Sequence, residues 1–211
     1  MNDLLKDGLK LVIITLVAGI ALGAIYGITK KPIIDQEAKK QQEAYQAVFP
    51  DAASFEDVEG FSEDAAAKVI SAYENPVEGH ESDAITQAVQ ALDASGNILG
   101  YIFNISTNKG YGGEIQLTVG IQADGTVNGY SVLSIGETAG LGMHANDTGE
   151  GSWGTQFQGK KAEAFQVVKD GSGASDDSKI DAISGATITS KAVTGAMNSC
   201  LAYFQSIEGG N

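Results

Sequence analysis

The chain has 211 residues, 43 % of them apolar, which is enough for one domain with a packed core and some further parts. Its 13 basic residues are all lysines, so the side chain suited to bidentate phosphate clamping is missing, and a net charge of −14 argues against nucleic acid as a partner. The single cysteine, Cys200, excludes an internal disulfide and any cysteine-ligated metal or cluster site, and the two isolated histidines, His80 and His144, read as solvated loop residues with no metal site.

Leu11 to Ile28 is a stretch of eighteen residues without a charge, bounded by Lys6 and Lys10 before it and by Lys30 and Lys31 after it. At helical rise it spans roughly 27 Å, close to the hydrocarbon thickness of a bilayer. A signal peptide is the alternative, but the apolar run exceeds the usual core of one and no clear cleavage site follows it. An uncleaved membrane anchor over 11–28 is expected, with residues 1–10 as a short cytoplasmic N-terminus. Lysine pairs flank both ends, so charge leaves the orientation undecided. Residues 1–31 hold four lysines against two aspartates, which leaves −16 on the remainder.

After Pro32 the stretch DQEAKKQQEAYQAVFP is rich in helix formers, carries a modest apolar stripe at Ala44, Ala47 and Val48, and stops at Pro50. Residues 29–75 are expected to form a helical spacer leading away from the membrane, and 76–211 the main domain. From Ala84 the pattern changes to period two. AITQAVQAL and NILGYIFNIS are separated by the turn ASG, and EIQLTVGIQ and TVNGYSVLSI are joined across ADG. Four consecutive strands predict an antiparallel sheet. Gly136 to Gly154 is long, glycine-rich and aperiodic, yet Leu141, Met143 and Trp153 are costly to leave in water, so this loop is expected to fold over something. Ser190 to Ile207 carries a helical stripe through Ala192, Val193, Ala196, Met197, Cys200, Leu201 and Phe204, and predicts a helix packed on the sheet with Ser190 as its N-cap. The fold class is α+β.

DAISGATITS, residues 181–190, leads into that helix. Its small residues let the backbone be approached closely, and a helix N-terminus favours an anion, so a phosphate cradle is one reading. An ordinary turn is the other, and on local chemistry alone the turn is preferred.

The wider pattern is more specific. DAISGATITS resembles the flavinylation motif of FMN-binding domains whose flavin hangs from a threonine by a phosphodiester bond, matching at Asp181, Ser184, Gly185, Ala186 and Thr187. GYGGEIQLTVGI (110–121), ETAGLG (137–142) and WGTQFQGK (153–160) resemble other segments of the same domains, with Ala139 where a proline is usual. With its anchor and spacer the chain resembles the G-subunit family of Rnf electron-transport complexes. The C subunit of the sodium-translocating NADH:quinone reductase shares the architecture but is typically longer.

The resemblance implies FMN held covalently at Thr187 and attached by a separate flavin transferase that takes FAD and releases AMP. Ser184, Gly185 and Ala186 would form the attachment turn. Asp181 would help present it to the transferase or be a plain turn residue, and Thr189 and Ser190 would donate hydrogen bonds to the phosphodiester or act as caps. Leu141 would lie against the flavin face, with Glu137 and Thr138 near its polar edge and Gly142 completing that wall. The implied role is an electron relay between other subunits of a membrane complex coupling ferredoxin and NAD chemistry to ion transport, without a catalytic site of its own. The domain would stand on the extracytoplasmic side. The reading from another class is an anchored, acidic extracellular binding module without flavin, in which SGAT is a turn and ETAGLG an interaction loop.

Overall fold

The computed structural model describes residues 3–147 and 149–208 and divides after Gln41 into two units. In the first unit the chain is one helix. α1, Asp3–Val48, is 46 residues long and passes through Pro32, where the sequence suggested separate anchor and spacer elements. Proline removes one N–H and crowds the preceding turn, but helix formers on either side carry α1 across it. Ile13, Val17 and Ile20 are exposed, and the helix is long and apolar enough to cross a membrane. The hydroxyls of Thr15 and Thr29 donate back to the carbonyls of Leu11 (3.0 Å) and Ile25 (2.9 Å), so neither needs an outside partner within the apolar run.

The second unit, from Gln42, is built on a sheet whose five strands lie side by side in chain order, every pair antiparallel. Alternation predicts four of them, which are β2 (Ala84–Leu92), β3 (Ile98–Gly110), β4 (Gly113–Gln122) and β5 (Val127–Ile135). The turn glycines Gly96 and Gly125 have φ of 81° and 88°, the left-handed region that made ASG and ADG turn signals. The edge strand β1, Ser54–Asp57, and the helix α2, Glu63–Ala72, were not expected, because the sequence assigned residues 29–75 to a spacer. From Gln42 onward that segment belongs to the compact unit.

Both faces of the sheet are covered. On one, α3 (Thr187–Glu208) lays Val193, Met197, Cys200 and Leu201 over Phe103, Leu117 and Val119, all buried. Each large apolar side chain removed from water here contributes roughly 1.5–3 kcal/mol. On the other, Tyr45, Val48 and Phe49 cover Val89, Ala91 and Ile102. Two strand glycines make that approach possible. A Cβ on Gly120 would stand 2.8 Å from Val48 Cβ, and one on Gly100 would stand 2.7 Å from the Phe49 ring. A buried polar chain fixes the register of this layer. Thr118 Oγ1 donates to Asn104 Oδ1 (2.7 Å), Asn104 Nδ2 donates to the Tyr45 hydroxyl (2.9 Å), and that hydroxyl donates to Gln87 Oε1 (3.0 Å).

α3 is buried on its other face as well, against loops. Asn198 receives the Phe165 N–H (2.7 Å) and donates to the Phe165 carbonyl (2.9 Å). His80 is not the solvated residue suggested by its isolation in the sequence. It is 2 % exposed, its Nδ1 lies 2.7 Å from Asp83 Oδ2, and its ring fills the space that a side chain at Gly195 would occupy. His144 is exposed, as expected, 3.1 Å from Asp147.

Candidate functional site

α3 begins at Thr187, three residues earlier than its apolar stripe suggested, so Ser190 is not the N-cap. Its hydroxyl accepts the Ile183 N–H (2.9 Å) and donates to the Ala186 carbonyl (2.9 Å), closing the turn 183–186 against the first turn of the helix. Ser190 is fully buried and its hydroxyl is committed to this clip, which takes it out of the set of groups offered to a ligand. Gly185 completes the turn with φ of 76°, and a Cβ there would also approach Leu141 Cδ2 to 3.1 Å.

The turn opens onto a cleft of about 670 Å³. Gly185, Ala186, Thr187 and Thr189 line it from the start of α3, and Glu137, Thr138, Leu141 and Gly142 line it from the loop after β5. The two motif segments, more than forty residues apart in the chain, thus form one wall. Ser184 is exposed outside the cleft, and Asp181 also lies outside it. Tyr111, Lys169 and Ile188 complete the lining and were not singled out from the sequence, although Tyr111 lies within the GYGGEIQLTVGI segment and Ile188 within DAISGATITS. Leu141 and Ile188, 43 % and 53 % exposed, present apolar surface at the cleft from different elements.

Apart from that of Ser190, the three hydroxyls near the helix start are graded in access. Ser184 is exposed but outside the lining, Thr187 is half-buried within it, and Thr189 is 1 % exposed. Beneath them Glu137 is 8 % exposed, and its buried Oε1 has no hydrogen-bond partner. A Cβ added to Gly142 would stand 2.6 Å from both Glu137 Oε2 and Thr189 Oγ1, so the absence of a side chain at 142 is what admits both groups.

The loop 136–154 folds back on the domain, as its apolar residues suggested. Met143 N–H donates to the Thr138 carbonyl (3.2 Å), and the Tyr130 hydroxyl donates to the Ala145 carbonyl (2.6 Å) from the sheet. Burial pushes the Tyr130 phenol well above its ordinary value, and the charge of Asp147 adds to the effect. Trp153 Nε1 donates to the Asp181 carbonyl (2.6 Å), and Gln156 Oε1 accepts the Asp181 N–H (2.9 Å). Asp181 ends β7 (Lys179–Asp181), which pairs in parallel with β6 (Gln166–Val168). Its carboxylate packs against Gly173, with Oδ1 buried and lacking a hydrogen-bond partner. Lys160 ties the neighbouring loop together by donating to the carbonyls of Gly173 (2.7 Å) and Lys179 (2.6 Å), and burial lowers its pKa.

Residues 110–202 match the FMN-binding domain family. Two relatives match along nearly their whole length. The G subunit of the Na(+)-translocating ferredoxin:NAD(+) oxidoreductase complex of Acetobacterium woodii is 35 % identical, with 96 % of this chain and 92 % of that protein covered. The G subunit of the ion-translocating oxidoreductase complex of Methanosarcina acetivorans is 32 % identical, covering 99 % and 98 %. The chain belongs to this G-subunit family. Every residue lining the cleft of this family member falls inside the stretch that matches the FMN-binding domain. Among solved structures, Shewanella oneidensis NqrC is similar at 25 % identity over 60 % of this chain and 62 % of that one, with a TM-score of 0.47.

Proposed function

We propose that this chain is the electron-relay subunit of a membrane-bound, ion-translocating ferredoxin:NAD oxidoreductase, and that it carries FMN on Thr187 by a phosphodiester bond. The cleft supports the cofactor. Its volume lies within the roughly 300–1,000 Å³ typical of ligand pockets, it combines apolar Leu141 and Ile188 with a few polar groups, and it contains a buried acceptor, Glu137 Oε1, that no protein donor satisfies. When bound, FMN would supply the reversible one-electron steps of the relay. The protein's part is to hold the group, shield it and set its surroundings.

The observation that carries the attachment site is the graded access of the hydroxyls. Among the hydroxyls of the DAISGATITS segment, Thr187 is the one that both lines the cleft and remains reachable, whereas Thr189 is enclosed. Attachment requires the Thr187 oxygen to bond to the flavin-side phosphorus of FAD while the bond to AMP breaks, and the threonine proton passes to a base on the transferase. The turn 183–186, with Gly185 exposed, leaves that oxygen open to a second protein. Asp181, held through its main chain by Trp153 and Gln156, helps present the turn. The first turn of α3 brings unpaired amides to the place where a phosphodiester would sit.

Covalent attachment suits a domain outside the cytoplasm, where a lost flavin would not be replaced. We place the domain on that side, anchored by α1. A cysteine at exposed Ser175 tests the orientation, because Cys200 is buried and gives little background. Labelling by an impermeant thiol reagent in intact cells is expected, and protection from it would reverse the orientation.

The attachment site is tested by co-expression with a flavin transferase and peptide mass spectrometry. Thr187→Ala is expected to lose FMN from the 181–191 peptide while changing stability by about 0.5 kcal/mol or less. Thr189→Ala is expected to keep it. FMN still bound in Thr187→Ala would move the site.

A further inference from the structure

We propose that Tyr111 is the stacking face for the flavin ring, so that the tip of the β3–β4 hairpin completes the cofactor site and holds the ring at a lower midpoint potential than an unstacked flavin would have. The proposal rests on the flavin reading above, and its own support is where the apolar surface of the domain lies. Among the described residues from Gln42 onward, the exposed large apolar side chains are Ile98, Tyr111, Leu141 and Ile188, and all but Ile98 line the cleft. The three that do come from separate parts of the chain: the hairpin tip, the loop after β5 and the first turn of α3. Tyr111 is the most exposed of them, at 72 %. Apolar surface left in water and gathered from three elements at one cleft marks a place that something covers.

The hairpin is built to present this one ring. Gly110 pairs with Gly113, which leaves Tyr111 and Gly112 as a two-residue turn, and Gly113 follows with φ of 104°. The positions on either side of Tyr111 have no room for a side chain. A Cβ on Gly110 would stand 2.5 Å from the Gly113 carbonyl oxygen and 2.8 Å from Glu137 Oε1, and one on Gly112 would run into the Gly136 carbonyl. The backbone of the tip therefore lies directly against Gly136 and Glu137, and in GYGG, residues 110–113, Tyr111 supplies the sole side chain. A free turn favours Asn, Asp, Ser, Gly or Pro, so an aromatic held out at this place is unexplained by the hairpin itself.

Stacking accounts for the exposure and has a chemical consequence. A phenol and an isoalloxazine each present a flat π face, and offset stacking of such pairs is favourable beyond the area it buries. Leu141 and Ile188 offer apolar contact, but Tyr111 is the only aromatic residue among those lining the cleft. Trp153 is bound to the Asp181 carbonyl and does not line it. The face of a phenol is the negative part of its quadrupole. Against that face the electron-poor oxidised ring is held better than the same ring with an added electron, and this difference in affinity disfavours reduction.

The test uses the full-length chain loaded by a flavin transferase, with intact mass checked first. Flavin emission, normalised to bound flavin, is compared before and after unfolding in urea. A phenol in contact with the ring quenches emission by donating an electron to the excited state, so wild type is expected to brighten several-fold on unfolding. Folded Tyr111→Phe and Tyr111→Leu are expected to be several-fold brighter than folded wild type, and Tyr111→Trp to stay dark. Midpoint potentials separate stacking from quenching. Tyr111→Phe, which keeps a ring, is expected to hold the wild-type potential, and Tyr111→Leu to favour the reduced form about threefold more, a rise of about 28 mV for a one-electron couple. Tyr111→Phe differs from wild type by one oxygen and secures the emission comparison if the leucine variant loads poorly. A wild-type chain without the FMN mass increment defeats the flavin reading and this proposal with it. A loaded wild type as bright folded as unfolded, or a loaded Tyr111→Phe as dim as wild type, overturns the role of Tyr111 alone, and a Tyr111→Leu potential equal to that of wild type overturns its effect on reduction.

Discussion

Asp83 and Glu137 are the two buried carboxylates among the described residues, at 3 % and 8 % exposure, and their surroundings differ. Asp83 Oδ2 lies 2.7 Å from His80 Nδ1 and accepts from Ser199 Oγ at 3.1 Å, in a pocket closed by α3, while its Oδ1 is buried without a partner; Glu137 has neither oxygen on a side-chain donor among the described residues. Glu137 stands between glycines at an open cleft, with Oε1 lacking any partner. An acid enclosed for good must carry its partners with it, since an unpaired buried charge costs several kcal/mol. An acid at a ligand cleft can leave an acceptor open for what enters. The first arrangement is a clasp and the second is part of a site.

The comparison breaks most visibly at Asp83. Asp83→Ala leaves His80 Nδ1 and Ser199 Oγ without their acceptor and releases the loop before β2 from α3. A loss of about 1–3 kcal/mol is expected for each of the two stranded buried donors. Glu137→Gln has no protein partner to strand at Oε1 and is expected to change stability by about 1 kcal/mol or less. Urea unfolding of the two variants, before flavin attachment, measures both. Similar losses would mean that Glu137 is a structural clasp as well.

The clasp was hidden in the sequence for a physical reason. His80 and Asp83 sit in a loop whose burial depends on Gly195, more than a hundred residues away, where the missing side chain makes space for the imidazole. The same holds for the second face of the sheet. Alternation located β2 to β5, and the apolar stripe located α3, because those signals are local. The cover supplied by Tyr45, Val48 and Phe49 depends on Gly100 and Gly120 in other strands, and β1 is four residues long with three exposed, so its pattern carried little signal. At the cleft, resemblance brought out the segments around Glu137 and Thr187. Their meeting, and the parts played by Tyr111 and Lys169, required the fold. Ser190 was misread because the β-branched Thr187, Ile188 and Thr189 make a poor local signal for a helix start, while the clip to Ile183 that holds the turn there is tertiary.

The glycine beside Glu137 gives an intermediate effect. Gly142 has no left-handed φ, so alanine there is limited by space alone. Its Cβ would press on Glu137 Oε2 and Thr189 Oγ1 together, and overpacking of this kind costs about 1–3 kcal/mol. Combining Gly142→Ala with Thr189→Ala should recover part of the loss, giving a positive coupling in a double-mutant cycle read by thermal unfolding. Strict additivity would mean that the two groups do not share the space that Gly142 provides.

The smallest expected effect sharpens the Asp83 side. Cys200, on α3 beside the clasp, is fully buried, and burial raises its thiol pKa well above the ordinary value of 9.0, with the negative charge of Asp83 adding to the rise. The folded chain therefore keeps the thiol proton at a pH where the unfolded chain has lost it. The stability linked to this group is fully present below about pH 9 and falls as pH rises through and beyond that value. For one such group the loss between pH 9 and 10 is about 1 kcal/mol. Buried Tyr130, whose pKa is raised by the same cause, adds its own decline from about pH 10, so the comparison is made on Cys200→Ala against wild type rather than on wild type alone. Stability curves at pH 8, 9 and 10 should converge as pH rises, the wild type losing more than the variant. If the two curves stay parallel, the thiol does not sense its burial or the charge of Asp83, and the clasp is less isolated from solvent than its 3 % exposure implies.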